Sequence, residues 1–183
     1  PIMEDEHGTY IMNSKDLRAV EHIEKLVKIG VNSLKIEGRT KSIYYVARTA
    51  QVYRRAIDDA VAGRPFDNNL LGMLQGLANR GYTDGFLQRH HTQDYQNYLT
   101  GASELDNSHY VGDVLSVSDG WAEVQVKNRF SVGDRIEIIH PSGNQVIALE
   151  QMKNREGVPI TVAPGSGHVV RIPLEAKFDK ALL

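Results

Sequence analysis

The apolar residues of this chain change their spacing once, near Tyr110, and that change limits what the chain can fold into. After it, "YVGDVLSV", "WAEVQVKN", "RIEIIHP", "VIALEQM" and "HVVRIPL" alternate apolar and polar positions, separated by "SDG", "PSGN", "NREG" and "APGSG". Alternation puts successive side chains on opposite faces of a strand. Short strands of even spacing with glycine-rich turns predict a small antiparallel barrel or sandwich. Before Tyr110 the apolar residues recur every three or four positions, the spacing of one helix face. Two domains follow: residues 1–100, helix-rich, and residues 101–183, all β. The polar stretch "RGYTDGFLQRHHTQDYQNYLTGASELDNS" links them.

In the first half, Asn13 or Ser14 can cap a helix running to about Ile29, with Leu17, Val20, Ile23, Leu26 and Val27 as its buried stripe. Gly30 stops it, because a glycine just past a helix tolerates the left-handed conformation. Val31 to Ile36 reads as a strand. A long helix from about Lys41 to Ala62 would bury Ile43, Val46, Ala47, Ala50, Tyr53, Ile57 and Val61. Asp67 can cap a shorter helix through "NLLGMLQGLANR", and "GTYIM" reads as an earlier strand. One or two parallel strands cannot bury both sheet faces by themselves. The expected fold class is therefore α+β: the closing βα elements of a larger TIM-like barrel, then a small antiparallel β-barrel.

The stretch "SLKIEGRTKS" gives that reading chemical content. Lys35, Glu37 and Arg39 alternate with Leu34 and Ile36, so the charges share one face of the strand. In a parallel barrel they would face inward and reach the C-terminal rim, where such barrels place their active sites. Arg39 and Lys41, beside the start of the next helix, suit an anion such as a carboxylate or an RNA phosphate. Glu37 would orient Arg39 or Lys35 by a charge-assisted hydrogen bond. The alternative is an ion-pair network that only satisfies buried charge.

Composition bounds the rest. With 41% hydrophobic and 24% charged residues the chain reads as soluble and globular. No apolar run approaches the roughly 20 residues needed to cross a bilayer, and the acidic "PIMEDEHG" lacks a signal-peptide core. The absence of cysteine excludes disulfides, thiolate zinc sites and iron–sulfur ligation from within this chain. A start at Pro1 instead of Met suggests a fragment or processed piece. Net charge is −2, so nucleic-acid binding would need a local basic patch.

Two long motifs, "EDEHGTYIMNSKDL" and "SLKIEGRTKSIYYVARTAQVYRRAIDDA", resemble the collagenase-like peptidase family U32, and within it the bacterial branch of prephenate-dependent tRNA wobble-uridine hydroxylation. The likeness continues through "GLANRGYTDGFL" and "VKNRFSVGDRIEI". It implies a cytoplasmic protein with tRNA and a prephenate-like small acid as partners and no membrane. The chain would be the C-terminal part of the parent, inactive alone, with no cofactor of its own; relatives hold an iron–sulfur cluster on upstream cysteines. The resemblance points to Glu37 and Arg39 as catalytic, with Lys35, Lys41 and Tyr44 lining a substrate site. It places His7 and Asn13 at the rim of that site. The family's peptidase name implies proteolysis as a second activity, and a non-catalytic protein-binding module is a third reading.

Other charged clusters are more ordinary. Glu4, Asp5, Glu6 and His7 are an acidic run that solvent can carry without metal, and His90 and His91 fall in the linker. Arg48, with Arg54 and Arg55, lies among tyrosines in a pattern that can grip RNA, or forms a solvated face balanced by Asp58 and Asp59. In the tail, Lys127 and Arg129 are candidate RNA contacts interleaved with acidic residues. Trp121 is either a stacking platform or barrel packing.

Overall fold

Ser42 begins the longest element of the chain. Its side chain accepts a hydrogen bond from the Tyr45 N–H, and its extended backbone hands over to helix α2, Ile43–Val61. This is an N-cap of the ordinary kind, satisfying a donor that the first helical turn leaves unpaired. The computed structural model describes residues 2–5, 8–11, 15–77, 81–85, 87 and 109–183. The chain divides into two compact units, Pro1–Ser108 and His109–Leu183.

In the first unit, β1 (Ile2–Asp5) and β2 (Gly8–Ile11) form an antiparallel hairpin, so the expected "GTYIM" strand is present over Gly8–Ile11. The helix expected to run from Asn13 or Ser14 to Ile29 is shorter. Asp16–Leu17 is instead a two-residue strand, β3, followed by a 3₁₀ turn over Val20–His22 and helix α1, Ile23–Lys28. β3 pairs in parallel with β4, Tyr82–Thr83, through Asp16 N–H to Gly81 O at 2.9 Å and Arg18 N–H to Thr83 O at 2.8 Å. A partner 66 positions further along the chain thus overrides local helix spacing at Leu17, whose side chain stays 67% exposed. Gly30, with φ +84°, does end α1.

Helix α2 packs against α1 and against α3, Asn69–Gln75. Asp67 accepts from the Asn69 N–H at 3.0 Å and helps start α3. The face α2 buries is not the one its aliphatic residues mark. Tyr44, Arg48, Thr49, Val52 and Ala56 are buried, while Ile43, Val46 and Val61 are exposed. The helix carries two apolar stripes, and in this unit the mixed one meets α1 and α3.

Residues 31–38 hold neither helix nor strand, which corrects the expected strand at Val31 to Ile36. A strand exists through the ladder it makes with a neighbour, and no described strand runs beside this segment. Its alternation therefore has no pleat to act on.

In the second unit the alternating runs do form strands: β5 (Gly112–Ser118), β6 (Trp121–Val126), β7 (Phe130–Ser131), β8 (Arg135–Ile138), β9 (Gln145–Ala148), β10 (Met152–Asn154), β11 (Pro159–Ile160), β12 (Val162–Ala163) and β13 (Val169–Pro173). A five-stranded antiparallel sheet has the order β11-β10-β13-β6-β5, and β12-β7 and β8-β9 are separate antiparallel pairs. Asp119 and Gly120, both at positive φ, make the tight turn between β5 and β6 that matches strand twist. Among the described residues no sheet closes on itself. The three sheets instead surround one core, in which Val124, Ile138, Phe130, Ile172 and Met152 are buried together. Leu182 and Leu183 complete it by bonding back to Ile139 and Gly112.

Candidate functional site

The first unit contains a cavity of about 480 Å³ between α1, α2 and the 34–37 segment. Asp16 and Arg18 enter it from the end of β3, Tyr82 from β4, and Tyr45, Thr49 and Tyr53 from successive turns of α2. Leu34, Lys35, Ile36 and Glu37 all line it. Neighbouring side chains of both parities facing one cavity is the signature of an unpleated segment.

Charges around the cavity are paired. Lys41 donates to Asp16 at 2.8 Å, with both side chains largely buried, and its ammonium sits 4.6 Å from the centre of the Tyr45 ring. Lys35 pairs with Glu37 at 2.9 Å, and Arg39 lies 3.9 Å from the same carboxylate. Arg18 donates to Glu21 at 2.9 Å and stacks 4.9 Å from the Tyr82 ring centre. Tyr53 accepts from the Ala19 N–H at 2.9 Å, and the Tyr82 hydroxyl donates to Leu74 O at 2.8 Å. Burial pushes both phenols above the ordinary tyrosine range, so both remain neutral.

The expected site residues divide. Lys35, Glu37 and Lys41 meet at the cavity. Arg39 is beside Glu37 but 86% exposed and outside the lining. Tyr44 is buried on α2 and does not reach the cavity. Arg48, expected to grip RNA, is 5% exposed with its guanidinium 6.0 Å from the Tyr44 ring centre; α2 turns it inward, and it packs. Lys127 is tied to Asp113 at 3.1 Å, and Arg129 is exposed. Lys153 lies 3.9 Å from the Trp121 ring centre, so that ring carries a cation on its face. His7, Asn13, His90 and His91 lie outside the described residues, as does most of the linker.

Asp16, Arg18, Thr49 and Tyr82 were not singled out by the sequence, and Tyr45 only as one of the tyrosines beside Arg48. The Lys41–Asp16 pair spans 25 positions and joins a strand end to a helix start, a proximity no local pattern encodes. Among the described residues no group of three or more His, Asp or Glu could hold a metal ion, and no helix is long and apolar enough to cross a membrane. With no cysteine in 183 residues, this chain offers no thiolate to an iron–sulfur cluster.

The sequence pattern of Peptidase family U32 matches residues 2–97, and that of the Peptidase family U32 C-terminal domain matches residues 106–183. The chain belongs to peptidase family U32. This U32 chain is 60% identical over 183 residues to tRNA hydroxylation protein P of Escherichia coli, and 54% identical over 184 residues to the protein of that name in Haemophilus influenzae. Each alignment covers 98% of this chain and 40% of the relative. A collagenase of Porphyromonas gingivalis is 27% identical over 180 residues, covering 94% of this chain and 49% of that protein. The U32 chain thus spans about two fifths of the length of the tRNA hydroxylation proteins it matches.

Proposed function

We propose that this chain is the C-terminal part of a cytoplasmic protein that acts in hydroxylation of the wobble uridine of tRNA. The observation that carries the reading is identity of 60% and 54%, across 98% of the chain, to two proteins named for tRNA hydroxylation. The first unit supplies the closing βα elements of a TIM-like barrel. Leu17, Ile29, Ile36, Ile43 and Val46, exposed here, are the side chains that further barrel elements would cover. The Lys35–Lys41 turn then lies at the C-terminal rim, with Arg39 holding the carboxylate of a prephenate-like acid and Glu37 orienting Arg39. An iron–sulfur cluster, where the parent carries one, is held by cysteines upstream of these residues. The second unit is a small barrel that helps dock tRNA through Arg129 and Lys127.

Docking would draw on local basic patches, since residues 1–108 carry thirteen Lys and Arg against fourteen Asp and Glu and residues 109–183 carry eight against nine. Peptidase activity draws on the family name and on a relative at 27% identity. The described lining of the cavity holds no Ser, Cys or His that could act as nucleophile or base with a partner.

The test is tRNA binding by the full-length protein across a salt series. Each phosphate neutralised contributes a slope of about −0.9 in log K against log salt. Arg39→Glu with Lys35→Glu is expected to weaken binding and flatten the slope. Affinity and slope unchanged in that variant and in Arg129→Glu would sink the docking role.

A further inference from the structure

The turn that carries Glu37 and Arg39 has little support from the backbone around it. Among the described residues no strand pairs with 31–38, and helix α2 begins only at Ile43. The charged pairs that Glu37 makes with Lys35 and Arg39 are exposed, so water screens them and they restrain little. Lys41 is different. Its N–H donates to Gly38 O at 3.0 Å. Its stem lies against Gly38, where an added Cβ would stand 3.4 Å from Lys41 Cγ. Lys41 thus closes the turn on the residue between Glu37 and Arg39.

What holds Lys41 comes from elsewhere in the unit. Its ammonium donates to Asp16 at 2.8 Å and sits 4.6 Å from the centre of the Tyr45 ring. The Lys41 and Asp16 side chains are 23% and 10% exposed, against 81% and 52% for Lys35 and Glu37. A shielded pair is screened far less than an exposed one, and breaking it strands a charge in poor surroundings. Asp16 is fixed in turn by main chain, since its N–H donates to Gly81 O at 2.9 Å where β3 pairs with β4. One line of support therefore runs from the β3–β4 ladder through Asp16 and Lys41 to Gly38 and its two neighbours. A site carried on a loop depends on a supporting shell of this kind.

Resting on the reading above that puts Glu37 and Arg39 in the site, we propose that Asp16 is a positioning residue. Through Lys41 it sets where the Glu37 carboxylate and the Arg39 guanidinium stand. Asp16 itself touches neither the substrate nor the reacting atoms. Lys41 serves this tether in place of a substrate contact, because an anion drawing on its ammonium would compete with Asp16 and release the turn. Reacting groups tolerate little error of placement: about 1 Å can cost about a hundredfold in rate.

The test uses full-length protein as Asp16→Asn, Lys41→Met and the two together. One readout is the initial rate of wobble-uridine hydroxylation on newly made tRNA, in cells lacking the endogenous protein. The other is the rate at which trypsin cuts the purified native protein between Arg39 and Thr40. Each single variant is expected to hydroxylate about tenfold or more slowly, and to be cut faster as local opening exposes that bond. The double variant strands no buried charge, so it folds even where a single one does not. It is expected to lose no more than either single, because all three variants break one tether. Val52→Ala, buried in α2 away from the cavity lining, loosens the same unit and is expected to leave cleavage after Arg39 unchanged. Wild-type rates in Asp16→Asn, while Arg39→Ala abolishes hydroxylation, would overturn the positioning role and leave the site in place. Losses that add in the double variant, or equally fast cleavage in Val52→Ala, would overturn it as well. Full hydroxylation in both Arg39→Ala and Glu37→Ala would overturn the site reading, and this proposal with it.

Discussion

The second unit gathers its apolar side chains inward: Val124, Val126, Ile138 and Ile172 are all fully buried. The first leaves Leu17 at 67%, Ile29 at 76%, Ile43 at 62% and Val61 at 70% exposure. The backbones differ in the same sense. The second unit pairs strands into three sheets that share a core, while the parallel strands of the first are two residues each. One unit closes on its own residues, and the other offers faces. The open faces and the cavity lie on the same side of that division, so the part that is least complete by packing is the part with room for a ligand.

The sharpest way to break this comparison is to truncate a core residue in one unit and a face residue in the other. Ile172→Ala removes a fully buried side chain from the five-stranded sheet, and is expected to cost about 2–5 kcal/mol in denaturant unfolding of the second unit. Ile43→Ala on the open face of α2 is expected to change the first unit by no more than about 0.5 kcal/mol. A comparable loss in both would mean that the first unit is as closed as the second.

Asp16→Ala comes next. It strips Lys41 of a largely buried partner at the start of α2, and is expected to destabilise the first unit by about 1–3 kcal/mol without moving the second. Ser42→Ala removes the cap of α2 and is expected to cost about 1 kcal/mol; circular dichroism melts of the two variants would rank them.

How far the sequence could carry this division follows from where each signal comes from. In the second unit, alternation and turns are local, and β5, β6, β8 and β13 fall where the period-two runs lie. In the first, the extent of α2 was legible, since the helix expected from about Lys41 to Ala62 is present over Ile43–Val61. Its buried face was not, because Tyr44, Arg48 and Thr49 pack inward in place of Ile43 and Val46. The charges of Lys35, Glu37 and Lys41 were legible as a cluster. Their partners were not, since Asp16 reaches Lys41 only once β3 has paired with β4.

Alkaline pH is the mildest probe and reaches both units. Burial raises the pKa of Tyr53 and Tyr82 in the first unit, and burial with a hydrogen bond to Asp113 raises that of Tyr110 in the second. A phenol held neutral in the fold stabilises fully below the unfolded value of about 10 and loses that contribution as pH climbs toward the folded value. Urea midpoints are therefore expected to hold up to about pH 9 and to fall near about pH 11. Tyr110→Phe should flatten the fall for the second unit only, and Tyr82→Phe for the first only.

The most direct measurement is made in cells lacking the endogenous protein, complemented with full-length wild type, Glu37→Ala or Arg39→Ala, reading the hydroxylated wobble nucleoside in bulk tRNA by mass spectrometry. Loss of the modification in both variants, with each protein still folded and present at wild-type level, is the predicted result and places the Lys35–Lys41 turn in the active site. Full hydroxylation in both would contradict it, and would reduce Lys35, Glu37 and Arg39 to a surface ion-pair network.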